Sequence, residues 1–322
     1  MKKILIAATI FNIATSLFAQ SNKSGWVDLF DGKSLNGWKK VAGDAEYKIE
    51  DGAIAGVTVA NTPNTFLITE QEYGDFALEL EVKIMDTTSN SGIQFRSHFD
   101  PAGNDGKGKV FGYQYELDPS SRRWTGGIYD EGRRDWLYPL SYNASAQAML
   151  KTGVYNRIKL ECIGNTIRTW INGKPAAFVV DDMDNKGVIA LQVHSIGKAD
   201  MAGKKIYWKN IRIRNGVTSP SSFPGNIYVF NTIPNTLSDF EKQSGWKLLF
   251  DGKTSNGWVG AYKRQFPAKG WEIKDGMLKV LSSGGAEAHN GGDIVTKEKL
   301  LALGEKYEAQ IAADRQAEKR YR

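Results

Sequence analysis

Apolar and polar side chains alternate along much of residues 26–214. The clearest run is Phe76–Ile84, in which every second residue is Phe, Leu, Val or Ile and most residues between them are Glu or Lys. A period of two residues is typical of a β-strand with one buried face and one wetter face. Residues 154–162 alternate in a similar way, and Asn172-Gly173 between two apolar runs predicts a hairpin turn.

A helical pattern is missing from this part of the chain. No stretch of residues 26–214 keeps a convincing helical period over about ten residues. The patterns instead predict about ten to fourteen short antiparallel strands joined by turns. Strands with one apolar face must cover that face, and two packed sheets do so. We therefore expect an all-β fold, a β-sandwich or jelly roll of two antiparallel sheets.

The chain begins the same pattern twice. The sequence SGWVDLFDGKSLNGW starts at Ser24, and SGWKLLFDGKTSNGW starts at Ser244. We expect a whole domain over residues 24–214 and an incomplete second copy over residues 244–322, because the second stretch is less than half as long. Residues 215–243 carry prolines, serines and asparagines, which predicts a linker. Its apolar run over residues 227–230 is suited to docking on a neighbouring surface.

The first twenty residues have the layout of a secretory signal peptide. Two lysines precede a mostly apolar run over residues 4–18, and Ala19 offers a small residue for cleavage. The apolar run is shorter than the ~20 residues that a membrane span needs. We expect residues 1–20 to be removed, which leaves a secreted or periplasmic protein with no membrane insertion.

Charge and cysteine content narrow the classes of partner and cofactor. The chain has 42 Lys and Arg against 36 Asp and Glu, a formal net charge of +6, and the two signs are interspersed. Because no long basic run is present, we expect no nucleic-acid partner. One cysteine, Cys162, and three histidines cannot form a Cys/His metal cluster. We expect no cofactor, and leave open a bound divalent cation and the oligomeric state.

Three of the predicted strands carry polar side chains at every second position. These are Gln94, Arg96 and His98 on the first strand, Gln114, Glu116 and Asp118 on the second, and Gln192 and His194 on the third. Residues two apart on a strand share a face, so the three strands together predict one polar patch. The loop over residues 124–136 adds Trp124 and Tyr129 near that patch.

Such a patch predicts a carbohydrate partner. The CH face of a pyranose ring stacks on aromatic rings, while its hydroxyl groups form paired hydrogen bonds with planar polar groups. The structural alternative is an ordinary solvated sheet face, with Arg96 and Glu116 as a cross-strand ion pair.

A resemblance to a known family rests on several segments taken together. In order, these are LFDGKSLNGW, NSGIQFRS, FGYQYELD, TGGIYDEG, WINGKPAA, GVIALQVHS and WKNIRIR. The set resembles the 3-keto-disaccharide hydrolase family over nearly all of residues 26–214. The resemblance implies a concanavalin A-like jelly roll of the lectin and glucanase type, and a secreted or periplasmic hydrolase for sugars oxidised at C3. By position it falls on Gln94, Arg96, Glu116, Asp118, Tyr129, Gln192 and His194.

Roles for these residues follow from the chemistry of a 3-keto sugar. The ketone makes the neighbouring C2–H bond acidic, so the reaction needs a base near C2 and a cation or donor near the ketone oxygen. We expect His194 or Glu116 to be the base and Arg96 to stabilise the enolate. The expected substrate-binding residues are Gln94, Gln114, Asp118, Trp124, Tyr129 and Gln192. The alternative is a non-catalytic carbohydrate-binding module of lectin type, because the fold hosts both.

Overall fold

The structure is a computed structural model, and it describes residues 25–261, 263–282, 284 and 291–297. The predicted signal peptide, residues 1–20, lies outside the described residues. The chain forms two compact units, Met1–Phe230 and Asn231–Arg322. Within the described ranges, no helix is long and apolar enough to cross a membrane.

Short strands make up most of the first unit. In chain order they are β1 (Val27–Asp28), β2 (Trp38–Ala42), β3 (Glu46–Glu50), β4 (Ala53–Val57), β5 (Thr65–Thr69), β6 (Phe76–Ile84), β7 (Ser91–Asp100), β8 (Lys109–Leu117), β9 (Ile128–Glu131), β10 (Asp135–Tyr138), β11 (Asn156–Ile163), β12 (Thr166–Ile171), β13 (Lys174–Val180), β14 (Val188–Val193), β15 (Lys205–Asn215) and β16 (Phe230–Asn231). The helical segments between them are the 3₁₀ turn Leu140–Asn143, the helix α1 (Ala144–Gln147) and the 3₁₀ turn Ala199–Met201.

These strands form two sheets packed face to face. The larger sheet runs in the order β16-β13-β12-β11-β6-β15-β4-β3, with β1 beside β15. The smaller sheet runs in the order β10-β9-β8-β7-β14-β5-β2. Neighbours such as β6 and β15, or β7 and β14, are distant in the chain and pair antiparallel, as in a jelly roll. The predicted all-β, two-sheet antiparallel jelly-roll sandwich is confirmed.

The hydrophobic core lies between the two sheets. Strand β6 of the larger sheet contributes Leu78 and Leu80, and β7 of the smaller sheet contributes Ile93 and Phe95, all of them buried. Successive side chains of a strand point to opposite faces. Gln94, between Ile93 and Phe95, therefore points away from this core, and so does Gln114 opposite it on β8. The candidate site is on that second face of the smaller sheet.

The segment predicted as a linker, residues 215–243, is not free along its whole length. Its first part belongs to the first unit and covers the outer face of the larger sheet. Ser221 donates two hydrogen bonds to the buried Glu161 carboxylate, at 2.9 Å from its backbone nitrogen and 2.7 Å from Oγ. The Phe223 ring packs edge-on against Trp170 at 5.2 Å between centroids. This part of the predicted linker is therefore docked on the sheet, where it covers buried polar and aromatic groups.

The second unit repeats local features of the first. It contains the helix α2 (Asp239–Gln243) and the strands β17 (Trp258–Gly260), β18 (Trp271–Lys274), β19 (Met277–Val280) and β20 (Ile294–Thr296). Trp258 on β17 lies opposite Thr296 on β20, just as Trp38 on β2 lies opposite Thr69 on β5. The β18–β19 hairpin corresponds to the β3–β4 hairpin. Counterparts of the later strands of the first unit are not among the described residues.

Candidate functional site

One row of side chains crosses five neighbouring strands of the smaller sheet. Trp136 lies opposite Tyr129, Tyr129 opposite Gln114, Gln114 opposite Gln94, and Gln94 opposite Ala190. Directly opposite residues of paired strands point to the same side of a sheet. The side in question faces away from the core, because the residues that alternate with this row on β7 and β8 fill the core.

Residues two positions further along these strands share the same side. Glu116 follows Gln114 on β8, Glu131 follows Tyr129 on β9, and Gln192 follows Ala190 on β14. We call this surface the polar face, and define it by Gln94, Gln114, Glu116, Tyr129, Glu131 and Gln192. The predicted alternation therefore does bring Gln94, Gln114, Glu116 and Gln192 to one side of one sheet, with Tyr129 beside them.

A chain of side-chain hydrogen bonds runs across the polar face and ends on Glu116. Ser97 Oγ donates to Gln94 Oε1 at 2.7 Å, and Gln94 Nε2 donates to Gln114 Oε1 at 2.7 Å. Gln114 Nε2 then donates to Glu116 Oε2 at 2.9 Å. Asn90 Nδ2 donates to the other carboxyl oxygen, Oε1, at 2.8 Å. The Glu116 carboxyl group is thus held from both sides by amide donors.

Burial sets the protonation behaviour of Glu116. Only 4% of the residue is exposed, and this burial raises the pKa of its carboxyl group to about 7. The nearby charges of Asp118 and Glu131 also raise this pKa, while the hydrogen bonds from Asn90 and Gln114 lower it. A carboxyl group with a pKa near neutrality can both take up and return a proton at physiological pH.

Gln192 is a buried amide that forms no direct hydrogen bond, although it lies near enough to Glu131 to lower the pKa of that carboxyl group. It is fully buried on β14, and neither its Oε1 nor its Nε2 atom has a partner among the described residues. Leaving a buried polar group unpaired costs about 1–3 kcal/mol, and folded proteins pair nearly all such groups. Because Gln192 belongs to the polar face, its amide can pair with a hydroxyl or carbonyl group of a bound molecule.

Glu131 is a member of the polar face that sequence analysis did not single out. Asn64 Nδ2 donates to Glu131 Oε1 at 3.1 Å. Burial raises the pKa of the Glu131 carboxyl group, against the effects of Asn64, His194 and Gln192. The available signal was the spacing itself, because Glu131 follows Tyr129 by two residues within a predicted polar and aromatic loop.

His194 stands at the border of the polar face. It follows the last residue of β14, and its Nδ1 atom is 2.7 Å from the Ser195 carbonyl oxygen. A carbonyl oxygen only accepts, so Nδ1 carries a proton and Nε2 of the neutral ring is the acceptor. His194 and Asn90 line the same cleft, of about 340 Å³, and Asn90 also bonds to Glu116.

The structure turns Arg96 away from the polar face. The pairing of β7 with β8 shifts between Phe95 and His98, and Arg96 has a positive φ of 46° at this point. Such a β-bulge breaks the alternation of side chains along the strand. The prediction that Gln94, Arg96 and His98 share one face was therefore wrong. Beyond the bulge, His98 Nε2 lies 2.7 Å from Asp184 Oδ1.

The guanidinium group of Arg96 has a structural set of partners. Arg96 Nε donates to the Gly74 carbonyl at 3.0 Å, and Nη1 donates to the Gly164 carbonyl at 2.8 Å. Nη2 lies 2.9 Å from Asp75 Oδ1. Arg96 is fully buried and forms no ion pair with Glu116, so neither its predicted enolate-stabilising position nor the cross-strand ion pair is present. It instead ties β7 to loops at one end of the larger sheet.

Asp118 and Trp124 lie beyond the strand ends, at the edge of the polar face. Asp118 Oδ2 is 2.9 Å from Nε of Arg122. The Trp124 and Trp136 rings meet at 4.6 Å between centroids, and the Arg122 guanidinium lies 4.9 Å from the Trp124 ring. Trp136 in turn contacts Tyr129 at 5.2 Å. The row across the sheet therefore ends in an aromatic cluster that could stack against a sugar ring.

The remaining part of this sheet surface is apolar and covered. Val41, Phe66 and Ile68 of β2 and β5 pack with Ala190 and with Val110 of β8. Val110 is on the part of β8 beyond the bulge, so the far end of the β7–β8 hairpin folds over the sheet. Because the apolar part is covered, a ligand can contact this side of the sheet only at its polar part.

Neither a cluster of metal ligands nor a reactive thiol is found among the described residues of this site. Among the described residues, no group of three or more His, Cys, Asp or Glu side chains is arranged to hold a metal ion. Cys162 is buried in the core, and burial raises the pKa of its thiol to about 12. A thiol of that kind is a packing residue rather than a nucleophile.

Fold and site together define a β-sandwich protein with a carboxylate- and amide-lined face on its smaller sheet. Residues 25–214 and 245–315 match the family described as the 3-keto-alpha-glucoside-1,2-lyase-like domain. The chain belongs to this family, with one match over the first unit and a shorter one in the second.

Individual relatives are more distant or match over a shorter length. A curated relative, a 3-keto-disaccharide hydrolase of Bacteroides thetaiotaomicron, is 47% identical over 58 residues, which are 17% of this chain and 20% of the relative. The match thus spans about a fifth of that relative's length. A Bacillus subtilis protein of unknown function with a galectin-like fold is 12% identical, with a TM-score of 0.42 over 57% of this chain and 92% of that chain. The carbohydrate-binding module CBM66 from Bacillus subtilis is 15% identical, with a TM-score of 0.33 over 55% of this chain and 94% of that chain.

The raised pKa of Glu116 predicts a pH-dependent stability difference. The pKa is about 7 in the folded chain against 4.5 for an ordinary Glu, so the folded state binds this proton more tightly than the unfolded state. The resulting stabilisation is complete below about pH 4.5 and is lost as the pH rises through about 7. We expect the unfolding free energy of the wild type, relative to Glu116→Gln, to fall by on the order of 3 kcal/mol across that range.

Urea unfolding at a series of pH values measures this difference. The exposed Glu72 provides the matched control, because Glu72→Gln makes the same chemical change outside the site. The wild type and Glu72→Gln should follow nearly the same pH dependence. Parallel curves for the wild type and Glu116→Gln would contradict the prediction.

Proposed function

We propose that the first unit is a hydrolase that cleaves 3-keto-glycosides by removing the C2 proton, expelling the group at C1 and adding water. The observation that carries this proposal is the buried carboxyl group of Glu116 on the same face as the buried amide of Gln192, which forms no direct hydrogen bond. Membership of the 3-keto-alpha-glucoside-1,2-lyase-like family supports a carbohydrate substrate with a ketone at C3. The name of the Bacteroides relative supports overall hydrolysis.

Glu116 is the base that we favour for the C2 proton. Its carboxyl group belongs to the polar face, and its pKa near 7 leaves a large ionised fraction at neutral pH. His194 is the second candidate, because its Nε2 atom can accept a proton when the ring is neutral. The hydrogen-bond chain through Gln94 and Gln114 orients Glu116, so we assign these two glutamines to positioning rather than to direct substrate contact.

The developing negative charge of the enolate needs a donor at the ketone oxygen. Arg96 cannot supply it, because its guanidinium group is buried among loop carbonyls and Asp75. The Nε2 group of Gln192 forms no direct hydrogen bond on the polar face, and it takes this role in our proposal with the Glu131 carboxyl group nearby. Tyr129 and Trp136 are placed to stack against the sugar from the edge of the sheet.

Incubation with a 3-keto-glucoside in heavy water tests the proposal. We expect sugar release with deuterium at C2, and no release from the unoxidised glucoside, since only the ketone makes the C2 proton acidic. Loss of a general base typically lowers rates by ~10²–10⁴-fold. We therefore expect Glu116→Gln to lower the rate of sugar release by this factor and His194→Ala to lower it much less. Release without any C2 deuterium would contradict the mechanism.

A non-catalytic carbohydrate-binding module is the second candidate function. The aromatic cluster of Trp124, Trp136 and Tyr129 favours it, because stacking alone is sufficient for sugar binding. The same incubation separates the two functions. A binding module would retain the 3-keto-glucoside intact, with neither sugar release nor exchange at C2.

We also propose that the protein is exported to the periplasm or secreted. The support is the signal-peptide pattern of residues 1–20, in which two lysines precede an apolar run and Ala19. Mass spectrometry of the protein in its native host should find a mature chain that begins at Gln20 or Ser21. A chain that retains Met1 in the exported fraction would contradict this expectation.

A further inference from the structure

Glu131 is placed on the polar face by the geometry of β9. It lies two residues after Tyr129, and the residue opposite it on β8 is Gly112. Glycine has no side chain, and Ser97 of β7 fills the space there: a Cβ added to Gly112 would lie 2.6 Å from Ser97 Oγ. Glu116 is on the same side of the neighbouring strand β8, four residues beyond Gly112, so Glu131 and Glu116 flank the Tyr129–Gln114 pair on opposite sides. Their charges interact, because Glu131 contributes to the raised pKa of Glu116.

Asn64 holds the Glu131 carboxyl group in a defined orientation. The backbone N–H of Ser195 donates to Asn64 Oδ1 at 2.8 Å, which fixes which end of the amide is the acceptor. Asn64 Nδ2 must therefore be the group that donates to Glu131 Oε1, at 3.1 Å. No lysine or arginine forms a salt bridge with Glu131 in the described part of the chain. Glu131 is thus an oriented carboxyl group that is near Lys109 and His194 but forms no salt bridge with a lysine or arginine among the described residues.

We propose that Glu131 is the second proton-transfer residue of the site: it protonates the leaving oxygen at C1 and later accepts a proton from the attacking water. This inference rests on the proposed 3-keto-glycoside reaction and assigns a residue to the proton transfers at C1 in both of its halves. An elimination across C1 and C2 needs a base at one carbon and an acid at the other. The polar face provides two carboxyl groups on adjacent strands, Glu116 and Glu131, of which the reaction proposed above uses one.

The protons and electron pairs balance over the two half-reactions. Glu116 takes the C2 proton, the C1–O bond breaks with its electron pair on the oxygen, and Glu131 gives that oxygen its proton. Water then adds to C1 of the unsaturated ketone, Glu131 takes a proton from it, and Glu116 returns one to C2. One water is consumed, and both carboxyl groups end as they began.

The electrostatic surroundings of Glu131 suit this exchange of roles. Burial raises the pKa of its carboxyl group above the ordinary value for Glu, which favours the protonated form that an acid needs. Asn64, His194, Gln192 and Lys109 act in the opposite direction and favour the ionised form that a base needs.

Leaving-group dependence distinguishes a general acid from a binding residue. We would compare wild type and Glu131→Gln on two 3-keto-glucosides, one with a sugar and one with 4-nitrophenol as leaving group. A sugar alkoxide needs protonation, whereas 4-nitrophenolate leaves without it. We expect Glu131→Gln to lower the cleavage rate of the disaccharide by ~10²–10⁴-fold and that of the aryl substrate by about tenfold or less. Deuterium exchange at C2 of unreacted substrate should persist in this variant.

Controls separate this inference from a folding defect and from the proposed function. Glu131→Asp keeps a carboxyl group and should recover part of the disaccharide rate, while the exposed Glu72→Gln should behave as wild type. Equal losses of Glu131→Gln on both substrates, or loss of its C2 exchange, would overturn the role of Glu131 and leave the proposed function standing. Failure of the wild type to act on either substrate would overturn the proposed function, and the role of Glu131 with it.

Discussion

A carboxyl group inside a β-sandwich must be given hydrogen-bond donors, and that requirement organises the site of this protein. Removing Glu116 from water without partners would cost several kcal/mol, on the order of what a small domain gains in net stability. Asn90 and Gln114 donate to its two oxygens, Gln94 donates to Gln114 in turn, and Ser97 donates to Gln94. The chain of amides therefore depends on the register of β7 and β8, which sets Gln94 opposite Gln114.

The β-bulge at Arg96 separates two parts of the β7–β8 hairpin that make different contacts. Before the bulge, the hairpin presents polar side chains on the outer side of the smaller sheet. At the bulge, Arg96 anchors the strand to loops of the larger sheet, through Gly74, Gly164 and Asp75. Beyond it, Val110 packs onto the apolar part of the sheet. One irregular residue thus separates the polar side chains of the hairpin from its apolar ones.

Much of the architecture could be predicted from local pattern. Period-two alternation indicated the strands and their two faces, and it correctly grouped Gln94, Gln114, Glu116 and Gln192. The position of Arg96 could not be predicted in this way, because a bulge keeps the residue spacing while changing the direction of the side chain. The family resemblance also fell on Arg96, and position alone did not distinguish a residue that contacts substrate from one that supports the fold.

Other features depend on long-range contacts that no local pattern reveals. Glu131 is oriented by Asn64, which is distant from it in the chain. The contacts of Ser221 and Phe223 with Glu161 and Trp170 are another example, because these two residues are in a proline-containing segment typical of linkers. The absence of a direct hydrogen bond at the Gln192 amide is likewise a property of the assembled sheet.

The most direct test of a sugar site on the polar face is a crystal structure of Glu116→Gln with an intact 3-keto-glucoside. The exchange keeps the shape of the side chain and removes the proposed base. The account predicts the sugar ring on the polar face, with the ketone oxygen at ~2.7–3.2 Å from Gln192 Nε2. A ligand bound elsewhere on the protein, with the amide of Gln192 still unpaired, would contradict the account.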